Sequence, residues 1–336
     1  MVYNKYIGII GGTGTIGSII VKYLLQLQTH FHVLIGGRRS IKEISMSTFY
    51  NSERLKYNQM NYNNDVELDN FCSQCLLVIN AVGPSFKIND KIALHALRNN
   101  CHYIDIGGYG ILRDLLKPYE KSIEAQKLCF IIGVGWMPGI SGVFSKTIIE
   151  THLNSPENTN FNIYYGAVDN WSYSSTYDLA ASSMGKTRSY VYSHGKEIQV
   201  SPFRYTHHKF FPFIGHKKIC MPSFDEQLTQ LATSLKQIRK ISTFIMLNDY
   251  ISMGKFMFIK IFYKHNLNKA TLMLQDDYQR LVKKENKWGS VICQVSKIEP
   301  ERKIDTFYYL YTKNNLLYTA SVSYTHLRAH ETPEHL

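Results

Sequence analysis

The run Ile7-Gly8-Ile9-Ile10-Gly11-Gly12-Thr13-Gly14-Thr15-Ile16-Gly17, close to the start of the chain, constrains the fold more than any other stretch. An apolar segment ends in Gly12-x-Gly14-x-x-Gly17, and an amphipathic segment from Ser18 to Leu27 follows. A strand that turns into a helix through glycines at this spacing is the context in which the pattern binds a dinucleotide. Gly12 is expected to allow the tight turn, Gly14 to let the backbone approach a diphosphate, and Gly17 to let the helix lie on the strand. The helix start presents free N–H groups and a partial positive charge to phosphates, which adds Thr13, Thr15 and Ile16 to the expected cofactor positions.

The next strand is expected at His32–Ile35, followed by Gly36-Gly37-Arg38-Arg39-Ser40. An NAD site normally carries a carboxylate here for the ribose 2′-hydroxyl. This chain has two arginines and a serine instead. A guanidinium pairs with a 2′-phosphate and stacks on adenine, and a serine hydroxyl adds a hydrogen bond, so Arg38, Arg39 and Ser40 favour NADP(H) over NAD(H).

Apolar runs at Leu55–Met60, Leu76–Asn80, His102–Asp105 and Leu128–Gly133 alternate with helical stretches at Val66–Cys72, Asp90–Asn99 and Leu112–Gln126. This alternation predicts an α/β, Rossmann-type doubly wound parallel sheet over 1–150. Ligands bind beyond the carboxyl ends of such strands, so Ala81, Val82, Gly83 and Pro84 are expected to line the cofactor. After a polar stretch, Asn154 to Asn160, the texture becomes aromatic and β-prone at Phe161–Val168, Ser189–Ser193, Trp288–Val295 and Thr306–Thr312, with a hairpin turn at Ser193-His194-Gly195-Lys196. Segments near Ser174–Met184 and Phe224–Arg239 read as helices. A second α+β domain with an antiparallel sheet, for substrate or dimerisation, is expected over 151–320. Residues 321–336 resemble the translation of a sequencing adapter. They are expected to be non-native, with the natural C-terminus missing, and do not enter the fold reading.

Three motifs together resemble the saccharopine dehydrogenase-like family. They are the glycine fingerprint with Gly37-Arg38-Arg39; Val78-Ile79-Asn80-Ala81-Val82-Gly83-Pro84 with Ala93-Leu94-His95-Ala96 and Cys101-His102-Tyr103-Ile104-Asp105; and Gly135-Trp136-Met137-Pro138-Gly139-Ile140-Ser141-Gly142. The resemblance covers about the first 145 residues. It implies hydride transfer to or from a C=N or C=C bond with a nicotinamide cofactor, on a small or carrier-bound substrate. The family's amino-acid branch usually carries Asp before the Pro-Gly pair. Met137 stands there in this chain, which argues against saccharopine itself as substrate.

Hydride transfer needs little covalent help from the protein, but reduction of an imine or enoyl group needs a proton donor. Asp105 and Tyr109, at and just past the fifth strand, are the candidate catalytic residues; a turn or capping role is the alternative for Asp105. Trp136, Pro138, Gly139 and Ser141 are the candidate substrate residues, because the bend places the N–H groups of Ile140 and Ser141 at a helix start. An ordinary proline-initiated helix is the alternative. Arg188, His194, His207 and His208 are given no role. A nucleotide-binding protein that has lost the reaction is the alternative to an enzyme.

The six cysteines lack a second CxxC pair beside Cys72-Ser73-Gln74-Cys75, so no metal site is expected and a reduced, cytoplasmic protein fits. The net charge of +12 is diffuse, and nucleic-acid binding is not expected. A homodimer is compatible with the second domain. No signal peptide is read, and Ile241 to Tyr263, broken by Asn248, Asp249, Lys255 and Lys260, is expected to form buried elements of that domain rather than cross a membrane. A membrane-surface helix is the alternative there.

Overall fold

The computed structural model describes residues 5–27, 31–40, 52–108, 110–153, 156–184, 189–223 and 226–320. β1 (Tyr6–Ile10), β2 (Val33–Gly37), β3 (Leu55–Gln59), β4 (Cys75–Asn80), β5 (His102–Asp105) and β6 (Phe130–Ile132) form a parallel sheet in the order β3-β2-β1-β4-β5-β6. Both faces are buried because successive side chains point opposite ways. Ile10, Val78 and Tyr103 enter one apolar cluster, and Ile9, Ile79 and Ile104 the other.

The helices follow from apolar spacing and local caps. α1 (Thr15–Gln26) buries Ile20, Val21 and Leu24. α2 (Asp65–Cys72) starts where the Asn64 side chain accepts from the N–H groups of Val66 and Glu67. α3 (Ser85–Ile88) and α4 (Lys91–Arg98) follow β4. The single helix expected over Leu112–Gln126 is instead α5 (Gly110–Leu116), a 3-10 turn at Lys117–Tyr119, and α6 (Glu120–Ala125). Pro118 has no N–H to continue the ladder, so it divides them.

The chain divides into two compact units, Met1–Ile140 with Leu316–Leu336, and Ser141–Asn315. The division precedes residue 150 because α7 (Ile140–Thr151) is one uninterrupted helix grouped almost wholly with the second unit. Within the first unit, Ala320 packs into the cluster of Ile9 and Leu24.

The second unit contains β7 (Thr159–Val168), α8 (Tyr173–Met184), the β8 (Tyr190–Ser193) and β9 (Lys196–Gln199) hairpin, and α9 (Pro202–Tyr205). They are followed by β10 (His207–Phe211), β11 (His216–Pro222), α10 (Glu226–Ser234), β12 (Lys240–Leu247), α11 (Tyr250–Phe262), α12 (Leu267–Lys284), β13 (Trp288–Ile298) and β14 (Lys303–Thr312). The hairpin turn is where the sequence puts it: His194 and Gly195 have φ of 49° and 72°, as a tight two-residue turn requires. The sheet, ordered β10-β11-β12-β7-β13-β14 with β8 also on β12, is mixed rather than wholly antiparallel: β7 and β12 run parallel. Side chains from its two ends meet. Lys209 Nζ of β10 lies 4.8 Å from the Phe307 ring of β14, and the Phe213 ring stacks on Tyr309 at 4.2 Å.

Ile241 to Tyr263 forms β12 and α11, split at Asp249, whose side chain accepts from the Ser252 N–H at 2.9 Å. Among the described residues no helix is long and apolar enough to cross a membrane. The expected adapter-like tail, 321–336, lies outside the described residues, as do Arg188 and the candidate catalytic residue Tyr109.

Candidate functional site

The glycine turn joins β1 to α1, and each glycine has its own reason. The left-handed residue is Gly11, with φ of 82°, not Gly12 as the spacing suggested. A Cβ on Gly12 would lie 2.8 Å from Ile35 Cγ2, so Gly12 is required by packing against β2. A Cβ on Gly17 would stand 2.2 Å from the Gly11 carbonyl oxygen, which would drive α1 away from the turn. At Gly14 a Cβ would meet only that same oxygen, at 3.1 Å, and otherwise open space. Gly14 caps α1 without a side-chain hydrogen bond, and no acidic residue sits in the first turn of the helix. Thr13, Thr15 and Ile16 complete this strip of main chain. It has the shape and polarity of a diphosphate cradle.

The loop after β2 lies beside it. Arg39 Nη2 donates to the Thr13 carbonyl at 3.0 Å, tying this loop to the glycine turn. Arg38 is exposed and has no side-chain partner among the described residues. From β3, the Tyr57 hydroxyl donates to the Arg39 carbonyl, and Gln59 Nε2 to the Arg38 carbonyl at 3.4 Å. The sequence reading missed both supports. Their signal was two polar side chains, two apart, at the end of the third strand. Ser40 is half-buried in the same loop.

The loop after β4 closes the other side. The Ala81 N–H donates to the Ile10 carbonyl at 2.9 Å, and Val82 Cγ2 would touch a Cβ on Gly11 at 2.9 Å. Gly83 leads into Pro84, which is buried and starts α3. Asn80 organises this loop, another residue whose role the sequence did not give. Its Oδ1 accepts from the Val82 N–H at 3.0 Å, and its Nδ2 donates to Asp105 Oδ2 at 2.8 Å. Asn80 and Asp105 are register partners on β4 and β5. The Tyr103 hydroxyl donates to the same carboxylate oxygen at 2.5 Å. Burial, and then the Asp105 charge, push the Tyr103 hydroxyl well above its ordinary pKa, so it stays protonated and donating. A small pocket opens against this group, lined by Asn80, Ser85, Phe86, Asp105, Gly108 and Leu112.

Residues 7–129 match the family model of the saccharopine dehydrogenase NADP binding domain. The chain carries a saccharopine dehydrogenase-like NADP-binding domain. Its fold is shared with apo saccharopine dehydrogenase (L-Glu forming) from Saccharomyces cerevisiae, which aligns at a TM-score of 0.63 over 96% of this chain and 90% of that one, with 13% identity. An engineered D-amino acid dehydrogenase bound to NADP+ aligns at 0.48 over 97% of this chain and 88% of that one, with 11% identity. No curated protein sequence matches the chain.

The bend at Trp136 lies past the matched residues of the saccharopine dehydrogenase-like domain. Gly139, at φ of 129°, is required there because a Cβ would stand 2.2 Å from the Gly135 carbonyl oxygen. The Ile140 N–H, expected to be free, donates to that same carbonyl at 3.0 Å, so the bend consumes its own donor. Trp136 meets the Tyr318 ring edge-on at 6.3 Å, and Pro138 and Gly139 are buried. Ser141 is buried, and its Oγ has no partner among the described residues. The histidines considered in the second unit do not converge. His194 occupies the β8–β9 turn, His207 bonds the Tyr205 carbonyl at 2.9 Å, and His208 bonds the Tyr250 hydroxyl at 2.9 Å. Cys72, Cys75 and Cys101 are buried free thiols of the saccharopine dehydrogenase-like domain, and burial pushes Cys101 up to about 11.

Proposed function

We propose that this chain is an NADP(H)-dependent oxidoreductase that transfers hydride to or from a C=N or C=C bond of a small or carrier-bound substrate. One observation carries the reading: the uncapped start of α1 and Arg38, whose side chain has no partner among the described residues, stand on neighbouring loops, with no carboxylate at the end of β2. The main chain from Thr13 to Gly17 holds the diphosphate. Arg38 takes the 2′-phosphate, while Arg39 keeps the two loops together.

The bound nicotinamide supplies the hydride. Ala81 to Pro84 line its path, in a loop held by Asn80. Asp105, bonded by Asn80 and Tyr103, is the candidate proton donor, with Tyr109 as the second. Trp136, Pro138, Gly139 and Ser141 are the candidate substrate residues, and residues 151–320 the candidate substrate or dimerisation domain.

Fluorescence titration of the full chain with NADPH and NADH tests the cofactor assignment. NADPH is expected to bind more tightly. Arg38→Asp is expected to weaken NADPH by about tenfold or more, the value of a charge-assisted bond to phosphate, and to spare NADH. An unchanged preference in the variant overturns the placement of the adenosine end. Loss of NADPH absorbance with imine or enoyl substrates tests the reaction. A second reading, NADP binding without turnover, draws on the engagement of Asp105 Oδ2 by both Asn80 and Tyr103. Tight binding with no turnover on any such substrate favours it.

A further inference from the structure

The outward face of α11 is apolar and uncovered. Ile251, Phe258 and Ile261 are 54%, 39% and 66% exposed, flanked by Tyr250 at 64% and Phe262 at 66%. Residues 251, 254, 258 and 261 fall on one stripe of a helix, and a Cβ on Gly254 would meet nothing within 4 Å. The opposite face, with Ser252, Phe256 and Ile259, is buried against its own unit. Leu272 of α12, 58% exposed, adds to the exposed apolar surface of this helix pair. Single exposed apolar side chains need no explanation, but a continuous stripe of large ones does.

The uncompensated charge along this stretch is positive. From Tyr250 to Gln275 the chain has Lys255, Lys260, Lys264 and Lys269 and no Asp or Glu. Lys255 is compensated by Asp276 and Asp277 of α12, at 2.8 and 3.3 Å. Lys260 lies 5.7 Å from the Phe256 ring. Among the described residues Lys260, Lys264 and Lys269 have no acidic partner. A second copy docking through this face would set these lysines against their own kind. An anionic surface would meet both the charge and the apolar stripe.

We propose that α11 is a membrane-surface helix that lies flat on anionic lipid. Thirteen residues are too few to cross a bilayer, which takes about 20, so the helix rests in the interface plane. Ile251, Phe258, Ile261 and Phe262 enter the boundary between headgroups and acyl chains. Lys264 and Lys269, just past the helix, meet the lipid phosphates. The proposal is independent of the coenzyme reading, because it concerns other residues and needs no turnover.

The test is co-sedimentation of the full chain with vesicles of phosphatidylcholine alone and of phosphatidylcholine with phosphatidylserine. Binding is expected only with phosphatidylserine and is expected to fall with added salt. Lys264→Glu with Lys269→Glu is expected to reduce partitioning on the order of tenfold or more, since each basic residue near such a surface contributes about fivefold. Phe258→Ser with Ile261→Ser is expected to abolish it. Val143→Ser, an exposed apolar residue on α7, is expected to change nothing. Absence of vesicle binding overturns the proposal, and so does binding indifferent to both double variants. A concentration-dependent dimer without lipid that Phe258→Ser with Ile261→Ser disperses also overturns it, by giving the face to a second copy.

Discussion

Among the described residues the first unit buries three polar side chains, Asn80, His95 and Asp105, inside two otherwise apolar clusters. His95 bonds Asp69 at 2.6 Å between α4 and α2, which is a packing role. The other two bond each other at the carboxyl end of the sheet, beside the glycine turn. The second unit buries many more, among them Lys218, Ser242, Asp277, Gln294 and Ser296. Against an apolar background, the buried Asn80–Asp105 pair stands out as a candidate site. Against a polar background such a pair does not, because the second unit carries buried polar groups throughout, bonded at Lys218, Gln294 and Ser296 and without a partner at the Ser242 hydroxyl among the described residues.

The comparison breaks first at Gly17. Gly17→Val places a branched side chain where a single Cβ already stands 2.2 Å from the Gly11 carbonyl. Overpacking of this kind costs about 3 kcal/mol, so opening the turn to relieve it is expected to lower NADPH affinity by about a hundredfold. Gly14→Ala, with 3.1 Å to the same oxygen, is expected to keep the fold and cost less affinity. Calorimetric titration of both variants checks the ranking. Equal losses would show that the turn is not shaped by close approach.

Lys218→Ala is the matching break in the second unit. Its ammonium donates to Asn248 Oδ1 at 2.6 Å and to Glu285 Oε2 at 3.3 Å, and faces the Trp288 ring at 4.9 Å. Burial holds its pKa below the ordinary lysine value, with Glu285 opposing. Removing one partner of such a pair costs about 3 kcal/mol, whereas Lys218→Met refills the space and is expected to cost less. Urea unfolding measures both, and NADPH affinity is expected to be unchanged in either.

Much of this contrast follows from what the chain makes legible. The first unit announces itself through local signals: glycine spacing, apolar runs, and helices of the right length between them. The Asn80–Asp105 bond depends on register, since the two residues are far apart in the chain and meet only when β4 and β5 align. Gly11 escaped because the fingerprint names its neighbour. The strands β10 and β11 escaped for a different reason: their alternation is inverted, with Phe210 53% exposed and Lys218 2%. A strand with lysine inside and phenylalanine outside defeats a rule built on apolar burial. The parallel β7–β12 ladder was hidden because its strands are separated by several intervening elements.

Asn80→Ala sharpens the comparison at a smaller scale. It removes the acceptor of the Val82 N–H and a donor to Asp105 in one change. A stability loss of about 2 kcal/mol is expected, with weaker NADPH binding as the loop after β4 loosens. Asn162→Ala in the second unit loses a 3.4 Å bond to Gln294 and is expected to affect stability only, by less than about 1 kcal/mol. A coenzyme effect in Asn162→Ala, or none in Asn80→Ala, would remove the distinction between the two backgrounds.

The smallest effect concerns pH. Burial raises the Asp249 carboxyl pKa, but hydrogen bonds from Arg280 and Ser252 outweigh it and hold it well below the ordinary carboxylate range. The unfolded chain therefore takes up this proton first as pH falls. The stability carried by Asp249 is complete above about pH 5 and shrinks as pH drops through the unfolded value of about 3.9 toward the folded one. Asn is as good a helix cap as Asp, so Asp249→Asn keeps the start of α11 while it removes the charge and the second acceptor of the Arg280 guanidinium. Arg280 keeps Asp277 at 2.9 Å. The variant is expected to be slightly less stable at neutral pH and to lose stability less steeply in acid. Trp171, stacked on Tyr278 at 4.7 Å in the same unit, reports this unfolding by its fluorescence. An acid slope identical to that of the parent chain would mean that the pair with Arg280 carries none of the second unit's dependence on pH.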